Sequence, residues 1–258
     1  MQVSRTSARA GLGHAAVLVL ALAFGLCACP ENPPQTPSER VSRERPDLAS
    51  LLDARTIPPR GTIKRTTILN TLADRYGYRS YLEIGQGRKE DNFAWVTCRK
   101  KVGVDPNKEV EAAFPVTSDE YFARHRDAFD LIFVDGLHLA DQAERDILNA
   151  LRVLNTGGTI VVHDCNPTTE EMQRVPWQGQ HAWTGDVWKV WVKMRATRAD
   201  LQMFVVDVDS GCGIIRRGRQ RTMALPEELT YEAFAKNRRK WLNLLDVHEF
   251  LGALRRSR

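Results

Sequence analysis

The chain has 258 residues, 43% of them apolar, enough for one domain of ordinary size with a core of its own. Its net charge is +5, and no Lys/Arg block interleaves with stacking aromatics, which counts against nucleic-acid binding. Of the five cysteines, Cys27 and Cys29 lie in the leader and Cys98, Cys165 and Cys212 stand apart, so reduced thiols are expected, not a zinc site or a disulfide framework.

The first residues read like an export signal. Arg5 and Arg9 form a positive start, and Ala15–Ala28 is an apolar run of 14, short for a membrane span. The run ends in Leu-Cys-Ala-Cys, which resembles the bacterial lipoprotein cleavage box with Cys29 as the lipidated residue. Cys27 stands where a small or branched residue is usual. A translated upstream segment is the plainer alternative, although no methionine lies between Met1 and Met172 to begin a shorter product. Pro30 to Pro59 holds seven of the twelve prolines and reads as an extended linker. The expected division is a leader over 1–29, a linker over 30–60, a folded domain over 61–218 and a helical extension over 219–258.

From Gly61 onward, apolar runs alternate with helical patterns. Residues 64–75 read as a helix with Ile68, Leu69 and Leu72 on one face. A strand is expected at 80–84, a helix at 90–100 and strands at 101–105 and 113–117. Ser118 is placed to cap the next helix, with Asp119 and Glu120 in its first turn. The run at 130–135 is nearly all apolar, as in a strand buried on both faces. A helix over 139–154 sets Ile147, Leu148, Leu151 and Leu154 at core spacing, and Asn-Thr-Gly-Gly is expected to end it. A strand follows at 159–163. Such alternation implies a parallel sheet with right-handed crossovers. Near the end, a helix over 183–196 leads to two strands joined by a glycine turn, an antiparallel hairpin.

In an open sheet of this kind, ligands bind at the carboxyl ends of the strands. Those ends carry Glu83 to Gly87, Asp105, Ser118 and Asp119, Asp135 to His138, and His163 to Asn166. Asp105 is placed to accept both hydroxyls of a ribose, a feature shared by nicotinamide and S-adenosylmethionine (SAM) enzymes. Two features separate these ligands. The third glycine of the dinucleotide fingerprint is replaced by Glu90, beside Asp91, and two carboxylates at a helix N-terminus would repel a diphosphate. The terminal hairpin is also foreign to the usual dinucleotide fold.

The ordered set Glu-Ile-Gly-Gln-Gly, Val-Gly-Val-Asp-Pro, FDLIFVDGLH, LNTGGTIVVHDCNP and Gly-Asp-Val-Trp-Lys resembles the class I SAM-dependent methyltransferases. The closer likeness is to small-molecule O-methyltransferases acting on catechols and macrolide sugars, over roughly residues 64–218. The resemblance implies an α/β, Rossmann-like, seven-stranded sheet of order 3-2-1-4-5-7-6 with strand 7 antiparallel. It further implies that Glu83, Gly85 and Gly87 line the methionine half of SAM. Asp105 would bind the ribose, and Ser118 and Asp119 would sit near the adenine. Each has a plainer reading as well: a strand-to-helix turn, a solvated strand end, a helix cap.

Methyl transfer needs an aligned acceptor, exclusion of water and a route for the acceptor's proton. Asp135 and Asp164 end neighbouring strands and can share one magnesium ion, with Asn166 as a neutral oxygen ligand. Metal-dependent relatives show a comparable arrangement, although Cys165 follows Asp164 where Asn or Asp is common. His138 and His163 are the candidate bases beside Asp135; His163 also reads as a core histidine. Trp188 and Trp191 fit a helix face packed on the sheet. Trp177, His181 and Trp183 precede it and are placed to form a lid.

The favoured function is SAM-dependent O-methylation of a small hydroxylated acceptor, such as a sugar. The alternatives are a NAD(P)-dependent oxidoreductase and an exported lipoprotein whose methyltransferase-like fold only binds a ligand. SAM use favours the cytoplasm, whereas Cys29 would anchor the chain to a membrane. The apolar tail offers a contact for a homodimer.

Overall fold

The computed structural model describes residues 63–256, so the leader with Cys27 and Cys29 and the whole of the linker lie outside the described residues. Helix α1 (Arg65–Tyr76) ends at Gly77, whose left-handed φ of 66° turns the chain into β1 (Ser80–Ile84). The next elements are β2 (Lys100–Val104), α2 (Ser118–Arg124), β3 (Phe129–Val134), α3 (Ala140–Arg152) and β4 (Leu154–Val162). Helix α4 (Val187–Thr197), the hairpin β5 (Leu201–Val206) and β6 (Cys212–Arg217), α5 (Tyr231–Leu242), β7 (Leu244–Leu245) and α6 (Val247–Arg256) complete the domain. Among the described residues, no helix is long and apolar enough to cross a membrane.

The seven strands form one sheet in the order β2-β1-β3-β4-β6-β5-β7. Strands β2, β1, β3 and β4 run parallel, and β6 is antiparallel to both β4 and β5. This is the order that the resemblance implies, with one change at each edge. The strand expected over 113–117 shrinks to a single parallel bridge between Val104 and Phe114, outside β2. Pro115 follows at once and has no N–H to continue a ladder. At the other edge, two residues of β7 add to β5 in parallel.

The sheet separates two cores, and strand side chains alternate between them. Leu82, Ile84, Ile132 and Val134 pack with Ile147 of α3 and with Trp188 and Trp191 of α4. Tyr81, Leu131 and Phe133 pack on the other face with Leu69 and Leu72 of α1 and Phe250 of α6. A period of two within apolar runs is what sends neighbours to opposite faces.

Four local expectations are corrected. No helix forms over 90–100; only a 3-10 turn spans Phe93–Trp95. Asn92 is buried, and its amide and carbonyl are bonded to Glu83 and Thr66. Val96 and Thr97 are poor helix formers. Glu90 and Asp91 therefore do not stand at a helix N-terminus. Asn-Thr-Gly-Gly belongs to β4, where Gly157 takes φ 80° inside the strand and Gly158 lies so close to Asp130 that a Cβ would meet its carbonyl oxygen at 2.7 Å. Thr117, not Ser118, caps α2 in a reciprocal capping box with Glu120. Leu148 is 43% exposed, unlike the buried Ile147 and Leu151 beside it.

The C-terminal tail spends its apolar side chains inside the chain. Trp241, Leu242, Phe250 and Leu254 are all buried.

Candidate functional site

A cleft of about 740 Å³ opens at the carboxyl ends of β1 to β4. All of the cofactor and catalytic candidates line it: Glu83, Gly85, Gly87, Asp105, Ser118, Asp119, Asp135, His138 and His163. Asp164 lines it too, and Asn166 does not.

Its floor is the turn after β1. Gly85 takes φ 78°, and a Cβ there would lie 2.0 Å from the carbonyl oxygen of Asp135, so β1 and β3 meet at a point that only glycine allows. Gly87 is also left-handed, at φ 55°, and its N–H donates to Oδ2 of Asp105 at 2.8 Å. Oδ1 of Asp105 accepts from the N–H of Asn107 at 2.8 Å. The carboxylate that follows β2 thus secures the glycine turn and lines the cleft.

Glu83 lies at 1% exposure in a closed network. Tyr81 donates its hydroxyl to Oε2 at 2.8 Å, and Asn92 donates Nδ2 to Oε1 at 3.0 Å. Thr66 in turn donates to Oδ1 of Asn92 at 2.8 Å. Burial pushes the Glu83 carboxyl up to about 7, and the bonds from Asn92 and Tyr81 oppose that shift only in part. A second network lies around Ser118. Gln142 donates Nε2 to Oγ of Ser118 at 3.1 Å and to Oδ1 of Asp146 at 3.0 Å. Burial pushes the Asp146 carboxyl up to about 6.

Charge concentrates where β3 and β4 end. His138 Nε2 lies 3.4 Å from Oδ1 of Asp135 and 3.2 Å from Oδ2 of Asp164. His163 Nδ1 reaches the same two oxygens at 3.1 and 3.2 Å. Asp164 holds a left-handed φ of 60°, unusual for a residue with a side chain. Burial opposes the ionisation of Asp135, but His163, His138 and Arg65 outweigh it and hold its carboxyl well below the usual range. Burial likewise opposes a charge on His138 and His163, and the facing carboxylates raise both above an ordinary imidazole. His138 Nδ1 lies 2.9 Å from the carbonyl oxygen of Trp183, which only accepts, so Nδ1 carries a hydrogen.

Two members of this cluster were missed in the sequence. Arg65, the first residue of α1, donates Nη1 to Oδ2 of Asp135 at 2.7 Å and Nε to Oδ2 of Asp209 at 2.8 Å. Asp209, in the glycine turn between β5 and β6, stands 3.8 Å from His163 Nε2. Its carboxyl is held below the usual range: burial opposes, and His163 and Arg65 prevail. The only sequence signal was the acid-rich turn Asp-Val-Asp-Ser-Gly. Asn166, expected as a metal ligand, donates Nδ2 to Asp207 at 3.0 Å, and its Oδ1 is buried with no hydrogen-bond partner among the described residues. Of the lid candidates, Trp183 lines the cleft with its ring 5.2 Å from that of His138. Trp177 is 60% exposed, and neither it nor His181 lines the cleft.

Residues 82–165 match a family whose model is described as a methyltransferase domain. Among solved structures, the O-methyltransferase from Bacillus cereus in complex with SAH is 16% identical, covering 65% of this chain and 84% of that one, with a TM-score of 0.44. The O-methyltransferase TomG from Streptomyces achromogenes, in complex with SAM, is 18% identical over 58% of this chain and 78% of that one, with a TM-score of 0.44. The cofactor-bound Rv0187 from MTB is 18% identical over 71% and 94%, with a TM-score of 0.48. No curated protein matches the chain. Residues 82–165, which run from within β1 to just past β4, are thus similar to a methyltransferase domain on the segment that carries the resemblance.

Proposed function

We propose that this chain transfers a methyl group from SAM to a hydroxyl oxygen of a small acceptor, a sugar or another polyhydroxylated compound. The observation that carries the reading is the charge of the cleft. Six aspartates line it together with Glu83, against one guanidinium and two imidazoles. Such a wall attracts a cationic sulfonium and repels a diphosphate. The loop after Gly87 also leads into no helix before β2, only the turn at Phe93–Trp95, so the backbone cradle that seats a dinucleotide phosphate has no counterpart there.

In this reading Gly85 and Gly87 let the backbone approach the methionine half of the donor. Asp105 accepts the ribose hydroxyls, and Ser118 and Asp119 face the adenine. The acceptor hydroxyl lies against Asp135, His138 and Asp164, with Trp183 excluding water from one side. The methyl carbon leaves sulfur as its bond to the acceptor oxygen forms, S-adenosylhomocysteine departs neutral, and the hydroxyl proton passes into the carboxylate–imidazole cluster. His163, hydrogen-bonded to both Asp135 and Asp164, keeps those carboxylates oriented.

A divalent cation also fits this cluster. Ligand atoms of Asp135, His138 and Asp164 lie within 4.8 Å of one another. When bound, it would act as a Lewis acid that acidifies the acceptor hydroxyl. His138 is therefore open to two roles, base or ligand.

Titration calorimetry tests the donor. Binding of SAM in the micromolar range, with none for NAD, is expected; heat with NAD and none with SAM would overturn the proposal. Transfer of a labelled methyl group to a panel of hydroxylated acceptors tests the chemistry.

A further inference from the structure

We propose that Arg65, at the head of α1, receives the carboxylate at the methionine end of the donor, the one charge of that molecule which the rest of the cleft repels. The assignment rests on the methyl-transfer reading and deepens it at the donor end, where it adds a residue from outside the glycine turn.

Charge balance is the first support. Besides its sulfonium, SAM carries an ammonium and a carboxylate at its methionine end. Six aspartates and Glu83 line the cleft. They suit the sulfonium and the ammonium, and they oppose the carboxylate. The basic side chains in the lining are those of Arg65, His138 and His163. Both imidazoles already face Asp135 and Asp164, and His138 Nδ1 is tied to the Trp183 carbonyl. That leaves the guanidinium.

The donors of that guanidinium are the second. It presents five N–H groups in a rigid plane that matches a carboxylate. Nη1 donates to Asp135 and Nε to Asp209. Nη2, which carries two of the five hydrogens, has no hydrogen-bond partner among the described residues. The Arg65 side chain is 30% exposed where it lines the cleft. The two ion pairs fix its plane in advance, which lowers the ordering cost of taking a further anion.

Location is the third. Thr66, the next residue, is buried and donates to Asn92, whose amide is bonded to Glu83. Asp135, the partner of Nη1, meets Gly85 backbone to backbone. Arg65 is thus tied through its neighbours to Glu83 and Gly85, the residues that the reading gives to the methionine half.

Two ligands that differ only in the carboxylate test the contact: S-adenosylhomocysteine and its decarboxylated analogue, which keeps the amine. Titration calorimetry on the full chain gives the ratio of their affinities. Wild type is expected to bind S-adenosylhomocysteine at least about tenfold more tightly than the analogue. In Arg65→Met that preference should fall to about twofold or less, while affinity for the analogue is largely kept. A role confined to holding Asp135 and Asp209 would weaken both ligands together and leave the ratio unchanged, which overturns the assignment. Should Arg65→Met fail to fold, Arg65→Lys decides on the same ratio: a point charge without the fork should reduce it at least about threefold, and a wild-type ratio overturns the assignment. If wild type binds both ligands equally, the donor reading stands and Arg65 loses this role; if it binds neither, the donor reading fails and this assignment with it.

Discussion

Two buried regions of this domain are built on opposite terms. Beneath α4 and α5, Trp188, Trp191 and Phe234 are fully buried, and the Trp188 ring packs 4.5 Å from Phe234 and 6.5 Å from Trp241. At the carboxyl ends of β3 and β4, the buried groups are His163 and Asp164, with Asp135 close to the same depth. The first region gains free energy from every ring it removes from water. The second loses the hydration of its charges and recovers part of that cost through mutual pairing. An aromatic cluster of the first kind is explained by folding alone. A charged cluster of the second kind is not, and its position in a cleft marks where the molecule acts on something else.

The contrast can be tested from either side. Trp188→Ala should cost about 3–5 kcal/mol in urea unfolding, because it opens a cavity among rings that cannot collapse into it. A loss below about 1 kcal/mol would mean that the aromatic region is not the stabilising one. Glu83 gives the next effect, of opposite character. Its folded carboxyl titrates near 7, above the unfolded value near 4.5. At low pH the group is protonated in both states. As pH rises from about 4.5 to 7 the unfolded chain ionises first, so this group's contribution to stability falls across that window and then levels off. Relative to wild type, Glu83→Gln should therefore gain stability over that range, approaching roughly 3 kcal/mol above pH 7. Parallel stability curves for the two proteins would remove the shift assigned to Glu83.

Asp105→Ala should weaken SAM binding about 10- to 100-fold in calorimetry, since it removes a charged acceptor and frees the N–H of Gly87. Unchanged affinity would take Asp105 out of the donor site. The smallest effect is expected at Trp177, which is largely exposed. Trp177→Ala should alter stability by less than about 0.5 kcal/mol. A larger change would mean that this exposed side chain carries part of the fold's stability.

How far the sequence reads ahead differs between these regions for a physical reason. The parallel strands were legible because burial on both faces demands unbroken apolar runs, and the polar residue ending each run marked the cleft. Gly85, Asp105, Asp135, His138, His163 and Asp164 all follow from that one pattern. Arg65 and Asp209 were not legible. They meet across 144 positions of sequence, and nothing local to either residue records the other. The stretch after Gly87 misled because its apolar spacing suits a helix, while the demand of Glu83 for the Asn92 amide is a tertiary requirement. The partner of Asn166 was equally hidden: Asp164 enters the cleft, while the amide nitrogen of Asn166 is held by Asp207, 41 positions away.

Gly185 has φ 53°, and a Cβ at that position would overlap the His138 carbonyl oxygen at 1.7 Å. The same carbonyl accepts the N–H of Asp186, whose side chain accepts the N–H of Ala140, while the His138 ring is tied to Trp183. Residues 183–186 thus behave as a rivet through the histidine, fastening it by backbone and ring together. The span from Trp177 to His181 carries no such fastening to the histidine. Sequence drift there would leave the histidine seated, whereas drift across the rivet would loosen its backbone and ring at once.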